Sequence, residues 1–144
     1  MKPDALTLCM QVSDTHARLA IKLDDVLGTF HGLGLNDFRL LRILANAPHE
    51  RLPIADLAQP MGARISGVTR QLMPLEKTGQ LRRESGADGK RYAVLLPSGK
   101  RVVREAEVTA DAICTAAVGD LQDGHATALH DTLQSLCHSP ALKI

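Results

Sequence analysis

Aromatic side chains are almost missing from this sequence: it has no tryptophan, one tyrosine (Tyr92) and two phenylalanines (Phe30 and Phe38) in 144 residues. A core must therefore be assembled from Leu, Ile, Val, Ala and Met, which pack well between helices, and an α-rich fold is expected. Cysteine is scarce as well. Cys9, Cys114 and Cys137 are odd in number, far apart and in no CxxC spacing, which argues against a disulfide framework and a thiolate zinc site. The six histidines include no HExxH and no pair at four-residue spacing, so neither a metal nor a cofactor is expected. No stretch approaches the ~20 apolar residues of a membrane helix, and the N-terminus lacks a basic segment followed by an uninterrupted apolar one. A cytoplasmic protein without membrane association is the expectation. Catalytic signatures are missing too: Ser66-Gly67 and Ser85-Gly86 lack a nucleophile-elbow pattern, and no phosphate-cradling glycine loop follows a strand. An enzyme is not expected.

What is present is an uneven distribution of charge. The chain carries a net +1, yet residues 64–104 hold ten of its 17 basic side chains against three acids, giving that segment +7 and everything else −6. A basic middle between acidic ends is the footprint of a protein that turns one part toward a polyanion and keeps the rest away from it.

Hydrophobic periodicity divides the chain into helices and one hairpin. Residues 4–31, with Ala20, Leu23, Leu27 and Phe30 at three-and-four spacing, read as an amphipathic helix ended by Gly32 and Gly34. Asn36 or Asp37 can cap a second helix through Leu40, Leu41, Ile43 and Leu44, stopped at Ala47-Pro48. A short third helix, Ile54 to Gln59, opens after Pro53. Past Pro60-Met61-Gly62, a fourth runs from about Arg64 to Thr78 with Ile65, Val68, Leu72 and Leu75 facing inward, an axis bend at Pro74, and Gly79 beyond its end. Residues 81–84 and 91–96 read as two strands joined around Asp88-Gly89. Ser98 can cap a fifth helix, about Gly99 to Val118, with Val102, Ala106, Ile113 and Ala117 on one side. A last helix uses Ala126, Leu129, Leu133 and Leu136.

Two short helices joined by a tight turn at Met61-Gly62, then a basic hairpin within one helix length, all lie inside the positive segment. A second helix of this kind presents its first turns to the DNA major groove, while an adjacent hairpin reaches phosphate or the minor groove. On the fourth helix the apolar face takes Ile65, Val68, Leu72 and Leu75, leaving Arg64, Ser66, Gly67, Thr69, Arg70 and Gln71 near the exposed arc. Arginine can bond guanine in bidentate fashion, glutamine adenine, and the hydroxyls phosphate or a base edge, while Gly67 permits close backbone approach. Arg82, Lys90 and Arg91 are the hairpin candidates, the tip contact falling to Lys90 or Arg91.

These residues resemble the MarR family of bacterial transcriptional regulators, from about Leu35 to Arg104. LNDFRLLRILANAP looks like the family's second helix, LPIADLAQPMGARISGVTRQLMPLEKTGQLRRE like its helix-turn-helix, and ADGKRYAVLLPSGKRV like its wing running into the first dimer helix. Three features depart from the pattern: Arg64 stands where a capping serine is common, Pro74 interrupts the recognition helix, and the wing is about one residue shorter, with Lys90-Arg91 in place of Asp-x-Arg.

The resemblance implies a mainly α (α+β) winged helix-turn-helix fold with N- and C-terminal dimerisation helices. Residues 1–144 would form a single domain, with the lobe at about 35–98 and the dimerisation helices at about 4–31 and 99–138. It implies a homodimer that binds double-stranded DNA at a palindromic operator and acts as a repressor. Independently, the first, fifth and sixth helices carry apolar stripes that one small lobe could hardly bury, which points to a partner chain. The resemblance also implies release by a small phenolic or aromatic effector, for which stacking would rest on Phe30 or Phe38. Cys9 falls where the peroxide-sensing branch keeps its reactive cysteine, making a thiol-based redox role an alternative. That branch activates its thiolate with tyrosine hydroxyls, and the sole tyrosine here is Tyr92 in the hairpin. A further alternative is a winged-helix module whose basic hairpin binds an acidic protein without reading DNA.

Overall fold

The structure, a computed structural model, describes residues 1–144. Helix α1 (Ala5–His31) starts where the Asp4 carboxylate accepts from the Thr7 amide at 2.8 Å and stops at Gly32, whose φ of 65° is a left-handed conformation that glycine adopts without strain. Of its apolar residues only Leu23 and Leu27 are buried, while Phe30, expected on the same stripe, is 72% exposed. Helix α2 (Leu35–Ala45) is not capped by Asn36 or Asp37. The Asp24 carboxylate of α1 accepts from the Leu35 amide at 2.6 Å instead. A bond from eleven residues away along the chain thus replaces a local cap.

A 3-10 turn (Pro48–Glu50) holds His49 and Glu50 at positive φ. It leads into β1 (Arg51–Pro53), which pairs antiparallel with β3 (Arg91–Leu95), and β3 pairs in turn with β2 (Leu81–Ser85), giving the order β1-β3-β2. The sequence pattern showed the hairpin but not β1. Three residues ending in proline carry no period-two signal, and proline is tolerated there because β1 is an edge strand.

The helix-turn-helix consists of a 3-10 turn (Ile54–Leu57) running into α3 (Ala58–Met61), then α4 (Ile65–Lys77). Between them Gly62 at φ 60° and Ala63 return their amides to the carbonyls of Gln59 and Ala58, closing the tight turn. Helix α4 is one element through Pro74, and the amides of Gly79 and Gln80 close its end on Glu76 and Leu75. Val68, Leu72 and Leu75 are buried as expected. Ile65 is not: its side chain is half exposed, because the first turn of α4 borders an open groove beside Pro53 and Ala55 rather than the core.

Helix α5 (Pro97–Val118) begins two residues before the expected start, with Pro97 in its first turn. Ser98 does not cap it; its hydroxyl donates to the Gly79 carbonyl at 2.6 Å and joins the start of α5 to the end of α4. The buried stripe is Gly99, Val103, Ala106 and Ala110, so the face is rotated from the expected one: Val102 and Ile113 are half-buried and Ala117 is exposed. These small residues let α1 and α2 pack closely on α5. His31 at the end of α1 shares a 2.6 Å hydrogen bond with the Thr109 hydroxyl of α5. Helix α6 (His125–Cys137) buries no residue at all within the chain.

The core is a single cluster centred on Leu27, Leu40, Leu41, Leu44, Leu57, Val68, Leu72 and Leu81, with Phe38 its one aromatic and no buried charge. No helix is long and apolar enough to cross a membrane.

Candidate nucleic-acid interface

The alternation of side chains along a strand sorts the wing into two faces. In the observed register Arg82 lies opposite Val94, Val94 opposite Arg51, and Glu84 opposite Tyr92, which puts Arg51, Arg82, Glu84 and Tyr92 on one face. Arg83 and Ser85 occupy the other, toward α4, together with Leu81, Ala93 and Leu95.

Each face is fastened by ion pairs. Toward α4, the Arg83 guanidinium and amide both donate to the Glu76 carboxylate, at 2.8–3.2 Å, and thereby tie β2 to α4. These bonds from Arg83 hold the Glu76 carboxyl below its ordinary value of 4.5. On the opposite face Glu84 accepts from Arg51 at 3.0 Å and from Arg82 at 3.1 Å, which lowers its pKa in the same way, Arg51 contributing most. At the hairpin tip the Tyr92 hydroxyl donates to Asp88, and the Lys90 amide donates to the same carboxylate at 3.0 Å. Asp88 is pushed toward the ionised form, chiefly by the tyrosine hydroxyl, and Tyr92 toward its protonated form. Gly86 completes the turn, since a Cβ there would strike the Tyr92 ring.

After these pairings several cations on α4 and at the wing tip are left without a carboxylate partner. Arg64, Arg70 and Lys90 are exposed and form no ion pair, and Arg91 donates only to the Ser85 hydroxyl at 2.9 Å. Lys90 and Arg91 border an open groove of about 440 Å³ whose far wall is Ile65 and Thr69 of α4 and whose floor includes Ala55. The groove has α4 on one side and the wing tip on the other.

Of the residues singled out from sequence, Thr69, Lys90 and Arg91 come together on this groove. Arg64, Ser66 and Arg70 are exposed on the first turns of α4, and a Cβ added to Gly67 would meet open space. Two others are placed differently from the expectation. Gln71 is half-buried and donates to Asp37 of α2 at 3.1 Å, so its amide faces the lobe rather than the open arc. Arg82 lies on the wing face away from α4 and is paired with Glu84. Sequence reasoning missed Arg51, Glu76 and Glu84, which shape the wing; Arg51 and Glu84 meet across the sheet, and Glu76 meets Arg83 where α4 packs on β2, contacts invisible until the fold is known.

Cys9 is exposed on α1, and Cys9, Cys114 and Cys137 are all free thiols. No three His, Cys, Asp or Glu side chains cluster as a metal site would require.

Neither a family model nor a curated protein matches this sequence. Solved structures do resemble it in three dimensions. Sco3205, a MarR family transcriptional regulator from Streptomyces coelicolor in complex with DNA, superposes with a TM-score of 0.84 at 23% identity over 94% of this chain and 90% of that one. CouR from Rhodococcus jostii RHA1, bound to p-coumaroyl-CoA, gives 0.83 at 21% identity over 96% and 98%. NadR in complex with 4-hydroxyphenylacetate gives 0.79 at 20% identity over 96% of each chain. The chain therefore has the winged-helix fold of MarR family transcriptional regulators.

Proposed function

We propose that this chain is a sequence-specific, double-stranded DNA-binding transcriptional regulator that works as a homodimer. The observation that carries the reading is electrostatic. The arginines of β2 are neutralised by Glu76 and Glu84, whereas Lys90 and Arg91 line the groove between α4 and the wing and Arg64 and Arg70 stand exposed at the start of α4, all four without a carboxylate partner. A polyanion that admits a helix into a groove and phosphates onto a hairpin fits that arrangement.

In this reading residues 1–144 act as one domain. The segment at about 35–98 meets DNA, and the helices at about 4–31 and 99–138 pair with a second copy. The apolar residues left exposed on α1 and α6, among them Leu6, Met10, Leu129 and Leu133, support that pairing. Two-fold symmetry then calls for a palindromic operator. Within the recognition surface, Arg64, Ser66, Thr69 and Arg70 face the bases and Lys90 and Arg91 the backbone or minor groove.

The finer part of the proposal is repression relieved by a small phenolic or aromatic effector, the class of compound held by the CouR and NadR structures. Phe38 lies in the core, so Phe30 is the phenylalanine free to stack on such a ring.

Selection of duplexes from a random pool with the full chain, followed by titration at several salt concentrations, tests the reading. One palindromic sequence should emerge and its affinity should fall steeply with salt. Recovery of no preferred sequence would favour a protein-interaction module instead.

A further inference from the structure

Ile65 is a large apolar side chain on the first turn of α4, and 53% of it meets solvent. Around it the groove is lined by Ala55, Thr69, Lys90 and Arg91, with Asp56 the only carboxylate and Arg83 already neutralised by Glu76. Four residues on, the Thr69 hydroxyl donates to the Ile65 carbonyl at 3.0 Å. The hydroxyl proton is thus committed to the helix itself, and the Thr69 side chain lines the groove beside Ile65. An apolar spot made by Ile65 and Ala55 therefore sits in a groove whose rim carries two cations without a carboxylate partner, Lys90 and Arg91.

The rim argues for a polyanion as occupant rather than an apolar peptide. Among the groups a duplex displays in its major groove, the thymine 5-methyl is the apolar one, and apolar side chains recognise it by contact. We infer that Ile65, supported by Ala55 and Thr69, reads the 5-methyl group of a thymine in each half-site. The inference rests on the duplex-binding reading above and adds to it a specificity determinant that makes no hydrogen bond.

The test replaces each thymine of the selected operator in turn by deoxyuridine, which removes the methyl and leaves base pairing intact. Affinities of the full-length dimer are measured by fluorescence anisotropy for the wild type, Ile65→Ala and Ile65→Val. One uracil position per half-site should weaken wild-type binding about fourfold, equivalent to the ~0.8 kcal/mol of one buried CH₂-sized group, and about fifteenfold when both half-sites carry it. Ile65→Ala should bind thymine and uracil operators within about 1.5-fold of one another, and Ile65→Val should restore most of the discrimination. Because Ile65 is exposed, neither variant removes core packing, and the wild-type scan alone already decides whether a methyl is read.

A selected operator that wild type binds equally with uracil at every position overturns the inference while leaving the duplex-binding reading intact. So does an Ile65→Ala variant that keeps the full uracil penalty. Failure of selection to yield any preferred duplex overturns both.

Discussion

The Arg51 guanidinium lies over the Tyr92 ring, 3.4 Å from its centroid, and the same guanidinium donates to Glu84 on the far strand of the sheet at 3.0 Å. One side chain of an edge strand thereby reaches both strands of the wing. Tyr92 in turn holds Asp88 at the hairpin tip. The wing that carries Lys90 and Arg91 is therefore oriented in part from β1, through Arg51.

Acid should loosen this framework. The folded-state pKa values of Glu76 and Glu84 lie below the ordinary 4.5. Their contribution to stability is thus fully present above that value and disappears as pH falls from 4.5 through the lowered folded-state values. Unfolding midpoints in urea, followed from pH 7 to pH 3, should drop in that window, and Glu76→Gln with Glu84→Gln should lower stability at neutral pH and flatten the drop. A double variant that keeps the wild-type pH profile would show that these pairs contribute nothing.

Arg70 should separate reading from adhesion. It is exposed, unpaired and on the first turns of α4. Arg70→Ala should cost about 1–3 kcal/mol on the preferred operator and much less on random duplex, relaxing one base position per half-site. Equal weakening on every duplex would make Arg70 a phosphate ligand.

For the wing, replacing Lys90 and Arg91 together with Ala should weaken binding to all duplexes. The slope of log affinity against log salt should become shallower by about one for each phosphate that the missing cations had neutralised. An unchanged slope would mean that the hairpin stays clear of the duplex.

Gly99 should resist the substitution that helix propensity favours. Alanine is better than glycine inside a helix by about 1 kcal/mol. A Cβ at Gly99, however, would run into the Gln80 carbonyl and the Leu95 side chain, where α5 meets the end of α4. Overpacking of this kind costs about 1–3 kcal/mol, so Gly99→Ala should be net destabilising in thermal or urea unfolding. A variant at least as stable as wild type would show that the junction can yield.

Pairing of two copies should depend on α6. Leu129→Glu with Leu133→Glu changes two side chains that are 46% and 40% exposed in the single chain and lie outside the core. The expected outcome in sedimentation is a folded monomer with operator affinity reduced at least tenfold, since a single lobe cannot hold the second half-site. A dimer that survives would move the interface elsewhere.

The helices, the hairpin and the basic segment were legible in the order of residues, because they rest on local physics. Leu, Ile, Val and Ala at helical spacing, glycines at Gly32, Gly62 and Gly79, and a turn at Asp88-Gly89 act within a few residues of themselves. The outward direction of Arg70 was legible for the same reason, since a position two residues after the buried Val68 must face away from it. Other features depend on the folded arrangement. Ile65 shares a helix stripe with Val68 but stands on a turn that nothing covers, and Gln71 looks free by spacing but meets Asp37 of α2. Asp24 caps α2 from another helix, and Arg51 finds Tyr92 only when β1 joins the sheet. Periodicity tells which side of an element is apolar. Whether a neighbour is there to cover that side, or a carboxylate to neutralise a charge, depends on residues far along the chain that only folding brings together.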